Sequence, residues 1–156
     1  MNAGKVFEED FRKSAESYPE IDVNRLKDPV GGQAGVRNIC DFIVYTFPYI
    51  FYFELKSRQG NTLNFKEITN VQWNGLVKKS AKHGAIPGVL VDYSDHNESY
   101  FVHIDDLVQL RDVEGKKSLH IAYCREHGIK LHGERKRTRF AYYVQNFLRD
   151  IGEKHG

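Results

Sequence analysis

Cysteine is scarce in this chain, two in 156 residues, and Cys40 and Cys124 form neither a CxxC pair nor a zinc-finger spacing. A disulfide framework is thereby excluded, and a reduced, intracellular setting is expected. Long hydrophobic runs are missing too. No stretch approaches the roughly 18 apolar residues that a membrane helix needs, so no membrane partner is expected. The most apolar run, Cys40 to Phe53, contains Asp41 and Pro48 and is too aromatic and β-branched for a signal sequence. Met1 to Phe11 is mixed and charged, which leads to the expectation of no secretory leader and a cytoplasmic protein, or one of the host cytoplasm if phage-encoded. None of the seven histidines forms HExxH or a spaced pair, which argues against zinc. Excess charge of one sign is also lacking, since a net +2 establishes nothing about nucleic acid on its own. What is present is 40% hydrophobic and 28% charged residues, enough for one folded domain over residues 1–156.

Helical spacing of Phe7, Phe11, Ser14 and Tyr18 predicts an amphipathic helix from Ala3 to about Tyr18, ended before Pro19. Ile21 to Leu26 is a short strand candidate, and Asp28 to Gly35, with Pro29 and its glycines, a flexible loop. Ile39–Tyr45 and Tyr49–Ser57 are β-branched and aromatic runs separated by Thr46-Phe47-Pro48, a hairpin signal. Asn64-Phe65-Lys66-Glu67 resembles a capping box and predicts a helix to about Lys82, closed by His83-Gly84. Ala85–Tyr93 and Ser99–Ile104 read as a second strand pair, and Asp105–Arg111, Ser118–His127 and Thr138–Ile151 as three helices. The order implies a mixed α/β domain whose central sheet is covered on both sides.

The chemistry concentrates between Cys40 and Ser57. A hairpin turning between Phe47 and Pro48 sets Asp41 directly across from Glu54. Residues so opposed have Cβ atoms about 4.5–5.5 Å apart, and like charges there repel. Two carboxylates held that close favour a shared divalent cation. Alternation along the strand places Tyr52, Glu54 and Lys56 on one face, with Phe51, Phe53 and Leu55 in the core. The carboxylates and the Leu55 carbonyl are hard oxygen donors suited to Mg²⁺, with Mn²⁺ as a substitute. Lys56 can orient or deprotonate a water and hold a phosphate oxygen. The bland alternative is a solvated edge pair worth ~0.2–1 kcal/mol. Asp41 argues against it, since a bare solvent face does not usually set a carboxylate amid Ile39, Ile43 and Tyr45. Gln72 lies on the stripe of Ile68, Val71, Gly75 and Leu76, where a polar group must find a partner.

Asp41 followed by Glu54-x-Lys56 resembles the PD-(D/E)xK nuclease motif, with Cys40 in place of its usual proline. Further segments resemble RecU-type Holliday-junction resolvases: Asn2-x-Gly4-Lys5-x-Phe7-Glu8-x-Asp10-Phe11, Asn64-Phe65 with Gln72, and Gly84 to Val91 with Tyr100-Phe101. The resemblance runs in order over about residues 2–110. It implies a restriction-endonuclease-like α/β fold and Mg²⁺-dependent cleavage of DNA four-way junctions. It also implies that Glu8 completes the metal site through water, and that Gln72 contacts the attacking water or the lysine. Read without the family, Glu8 is equally an i,i+4 partner of Arg12. Arg25 resembles a basic position near the cleavage site. The family's long stalk is here shortened to Lys27–Asn38, which keeps Lys27 and Arg37; compact chains of this kind look like phage members of the group.

Arg135-Lys136-Arg137-Thr138-Arg139 places four cations in five residues, and Lys78 lies in a second basic group. Such runs are commonly solvated faces; in a nuclease they are natural phosphate contacts. One metal site cuts one strand, so symmetric resolution calls for a homodimer. A recombinase partner is conceivable for a junction enzyme. The competing readings are a duplex-specific restriction or repair endonuclease and a non-catalytic DNA-binding recombination module.

Overall fold

A computed structural model describes residues 2–27 and 38–156; the loop expected at Asp28–Gly35 and the basic residue Arg37 lie outside them. Helix α1 spans Ala3–Glu16, started by the Asn2 side chain accepting from Lys5 N–H. Strands β1 (Asp22–Arg25), β2 (Phe42–Thr46) and β3 (Tyr49–Arg58) follow. Then come β4 (Thr62–Asn64), α2 (Asn70–Ser80), β5 (Ala85–Tyr93) and β6 (Glu98–His103). The chain continues with α3 (Ile104–Val108), which widens into a π-helical turn at Gln109–Val113. It ends with β7 (Ser118–His120), α4 (Ile121–His127), β8 (Ile129–Lys130), β9 (Gly133–Lys136), β10 (Arg139–Tyr142) and α5 (Val144–His155).

Six strands form the central sheet in the order β1-β2-β3-β5-β6-β8; only β3 and β5 run parallel. One face carries α1, α5 and the β9–β10 hairpin over Phe11, Phe42, Phe51, Phe53, Phe101 and Phe147. The other carries α2, α3 and α4 over Trp73, Leu76, Val89, Val91, Tyr93 and Leu107. Phe53 is the hub of the first core. Its ring meets Phe11, Phe51, Phe101 and Phe147 at centroid distances of 5.8, 5.6, 5.4 and 6.0 Å. Aromatic pairs of this kind add about 0.5–1.5 kcal/mol each beyond their buried area. The residue beside Glu54 is thus clamped by four rings, and β3 is a stiff platform.

Three expected elements differ from the sequence reading. Asn64 caps only a 3-10 turn at Phe65–Glu67, accepting from Lys66 N–H. Helix α2 starts later, because Thr69 and Gln72 form the true capping box. It also stops at Ser80, so Gly84, at φ +79°, belongs to the turn into β5. The helix expected over Ser118–His127 begins only at Ile121, because Ser118–His120 pairs antiparallel with Thr62–Asn64. The helix expected over Thr138–Ile151 is instead the β9–β10 hairpin followed by α5, with Arg137 at φ +54° in the turn. Asp10 holds that hairpin on α1, accepting from Arg139 Nε at 2.7 Å and Phe140 N–H at 3.2 Å.

Candidate nuclease site

The β2–β3 pairing runs Phe42↔Phe53 through Thr46↔Tyr49, the register expected for a turn at Phe47-Pro48. Strand β2 stops one residue short of Asp41, yet Asp41 N–H still reaches Phe53 O at 3.0 Å. Asp41 Oδ2 then accepts the Leu55 N–H at 2.9 Å. Backbone groups repeat their direction every second residue along a strand. The Leu55 carbonyl therefore lies on the same edge of β3 as its N–H, past the end of β2 and beside the Asp41 carboxylate. The segment leading into Asp41 is pressed onto α2 at Gly75, where an added Cβ would collide with Ile39 Cγ2.

Glu54 is 2% exposed and sits on the α2 face of the sheet. Its Oε2 accepts from Gln72 Nε2 at 3.0 Å and lies 3.1 Å from Lys56 Nζ. Its Oε1 is buried without a partner among the described residues. Burial raises the Glu54 pKa well above the usual carboxylate range; the adjacent Asp41 raises it further, while Lys56 opposes both. Gln72 has two tasks, because its Oε1 also accepts the Thr69 N–H at 3.0 Å in the capping box. The capping box therefore aims the amide at Glu54.

Glu8, on α1, approaches from the opposite face. Its partner is neither Arg12, which pairs with Glu16 at 3.1 Å, nor a second carboxylate. Arg25 Nη2 stands 2.6 Å from Glu8 Oε2. Burial and then Asp41 raise the Glu8 pKa, and Arg25 lowers it. Leu26 N–H donates to Asp41 O at 2.7 Å, so the end of β1 joins Glu8 and Arg25 to the Asp41 segment.

Among the described residues no three His, Cys, Asp or Glu side chains converge as a ready-made metal cage. Asp41 and Glu54 come together; Glu8, near enough to Asp41 to feel its charge, is paired with Arg25. The donors nevertheless fit a hard divalent cation, because a buried carboxylate oxygen without a partner, a second carboxylate and a carbonyl are oxygen ligands whose two negative charges the single Lys56 ammonium does not balance.

Of the expected DNA contacts, Lys27 is exposed at the end of β1 and lines a groove with Glu8 and Arg25. Lys78 lies in the last turn of α2, about 9 Å along the helix axis from Gln72. Arg139 is tied to Asp10, Lys136 to Glu134, and Arg135 lies over the Phe140 ring at 5.5 Å. Thr69 escaped sequence reasoning, although Thr69-x-x-Gln72 carries the capping-box spacing that would have found it.

The raised Glu54 pKa has a consequence for stability. Unfolded glutamate titrates near about 4.3, and the folded value is higher. Without metal, the Glu54 contribution to stability is therefore full below about pH 4.3, falls as pH rises toward the folded pKa, and levels off above it. In Glu54→Gln that loss disappears, since the amide is neutral throughout and can donate to Asp41. Thermal melts in chelator at pH 5 and pH 8 should show a larger decline for the wild type than for Glu54→Gln. Parallel declines would mean that Glu54 is ordinarily ionised.

A mixed sheet with helices on both faces and a carboxylate pair where β2 ends beside β3 defines the class, a restriction-endonuclease-like fold. In agreement, the structure superposes on Archaeoglobus fulgidus Hjc, a Holliday junction resolvase from an archaeal hyperthermophile, with a TM-score of 0.58 and 18% identity, covering 81% of this chain and 95% of that one. The family model "Recombination protein U" matches residues 32–146, and the chain belongs to this RecU family. The SPbeta prophage-derived uncharacterized protein YotM of Bacillus subtilis (strain 168) is 29% identical over 173 aligned residues, 98% of this chain and 88% of that protein. Among the described residues no helix is long and apolar enough to cross a membrane.

Proposed function

We propose that this chain is a divalent-metal-dependent DNA endonuclease, a single nuclease domain that resolves four-way junctions as a cytoplasmic homodimer. The observation that carries this reading is the buried Glu54 carboxylate, with one oxygen bare beside Asp41 and the other held by Gln72 and Lys56. Membership in the RecU family and the fold shared with a junction resolvase support the substrate class.

Asp41, Glu54 and the Leu55 carbonyl would hold Mg²⁺ or Mn²⁺. When bound there, such an ion polarises the phosphate and lowers the pKa of its water. The chain's own residues do the rest. Lys56 orients the attacking water as an ammonium and can take its proton only in the neutral form. Gln72 keeps the Glu54 carboxylate aimed at the strand edge. Glu8, steadied by Arg25, completes the site through water from the α1 side. Lys27, Arg25 and the basic hairpin of Arg135, Lys136, Arg137 and Arg139 lie along the α1 side, where they contact phosphates, with Lys78 reaching DNA from α2. One site cuts one strand, so paired cuts require two copies about a two-fold axis.

The test is cleavage of labelled four-way junction, linear duplex and flap DNA in Mg²⁺. Paired symmetric nicks confined to the junction are expected. Equal cutting of all three would replace the junction reading with a general nuclease, and binding without any cleavage would replace it with a non-catalytic module.

A further inference from the structure

A second groove adjoins the site on the side away from α1. The 3-10 turn at Phe65–Glu67, the first turn of α2 and the loop entering β7 enclose a cleft of about 470 Å³ floored by Phe65 and Ile68. Its walls carry Lys66, Arg111, Lys116 and Lys117, and among the described residues no carboxylate lines it. Among the described residues none of these three lysines has a carboxylate within ion-pair distance. Of the neighbouring acids, Glu67 pairs with Arg58 at 3.3 Å and Asp112 with Arg111, itself a wall of the cleft, at 2.7 Å; Glu114, in the loop before Lys116, does not line the cleft. The Arg111 guanidinium is also fixed over the Trp73 ring at 3.6 Å, beside the cleft. The groove on the α1 side differs in being lined by Glu8 and Glu9 as well as by cations, with Arg25 paired to Glu8.

Three exposed lysines gathered without counter-charge make a positive patch that attracts an anion. The cleft shares α2 with the catalytic site. Thr69, on its rim, is one helical turn from Gln72, which grips Glu54. Strand β3 runs past Lys56 to Arg58, whose Glu67 partner adjoins Lys66.

We propose that the cleft formed by Lys66, Arg111, Lys116 and Lys117 holds a backbone phosphate of the DNA strand that passes through the Asp41–Glu54 site, next to the scissile one. The inference rests on the endonuclease reading and names the surface that places its substrate. Binding there is by phosphate, so it carries no sequence preference.

The experiment measures junction binding by the full chain without divalent metal, over 50–300 mM salt. Lys116→Ala/Lys117→Ala is compared with wild type and with Lys154→Ala on α5, which lines neither groove. For each phosphate no longer neutralised by a lysine, the slope of log affinity against log salt should become shallower by about one. The double variant should bind about tenfold or more weakly at low salt, with the curves converging at high salt. Lys116→Arg/Lys117→Arg should restore the wild-type slope. These side chains are exposed, so melting temperatures should not change. An unchanged slope in the double variant, with the wild type binding normally, overturns the cleft and leaves the endonuclease reading standing. A wild type that binds no DNA at all overturns both.

Discussion

Asp41→Asn is expected to abolish junction cleavage while leaving junction binding intact. The substitution keeps the side chain's shape, and the amide oxygen can still accept the Leu55 N–H that Asp41 Oδ2 now holds at 2.9 Å. What it removes is one of the two charges that a cation at this edge would answer. Loss of metal assistance is worth several kcal/mol of barrier, which is about a thousandfold or more in rate. The fold should not suffer. Asp41 is one of the causes that push Glu54 toward its protonated form, so removing its charge relieves a repulsion in the metal-free protein. Two melting curves therefore accompany the rate measurement. Without Mg²⁺ the variant should melt no lower than wild type; added Mg²⁺ should raise the wild-type melting temperature and not the variant's. Cleavage within about tenfold of wild type, only some 1.4 kcal/mol of barrier, would remove Asp41 from the chemistry.

Lys56→Ala is the second large effect, with a pH signature that a structural role lacks. Its ammonium stands 3.1 Å from Glu54 Oε2 and is the foremost influence holding the Glu54 pKa down against burial and Asp41. Removing it deletes the cation that orients the attacking water and answers charge on the phosphate, worth about 10²–10³ in rate. It also raises the Glu54 pKa further, so the ionised fraction at neutral pH falls and the acidic limb of the rate profile moves to higher pH. Part of the missing rate should return as pH is raised from 7 to 9. Single-turnover cleavage across that range would show it. A variant as fast as wild type with an unmoved acidic limb would reduce Lys56 to a surface partner.

The hairpin carrying the site was legible in the sequence because it is local. Alternation from Phe51 to Lys56 and the turn at Phe47-Pro48 specify its register, since a one-residue slip would bury Glu54 in the phenylalanine core. Gln72 could be singled out as a polar residue on an apolar stripe, but not for its partner, which lies on a strand of the sheet beneath α2. The misread elements share a cause. The two-stranded pairing of Thr62–Asn64 with Ser118–His120 joins segments far apart in sequence, and no local pattern marks either strand. Strand β9, Gly-Glu-Arg-Lys, is exposed on both faces and so shows no alternation. Its hairpin is placed by Asp10 and Ser14 of α1, which bond Arg139, Phe140 and Tyr142.

The sequence by itself determined the chemistry on offer: Asp41 opposite Glu54, with Lys56 on the same face. Those choices follow from period-two geometry and composition, which need only neighbouring residues. Tertiary structure alone decided which charges are free. It matched Glu8 with Arg25 instead of Arg12, tied Arg139 to Asp10, buried one Glu54 oxygen without a partner, and left Lys66, Lys116 and Lys117 without counter-ions among the described residues. Charges act through space and burial, and both are set by chain crossings between segments that the sequence holds far apart.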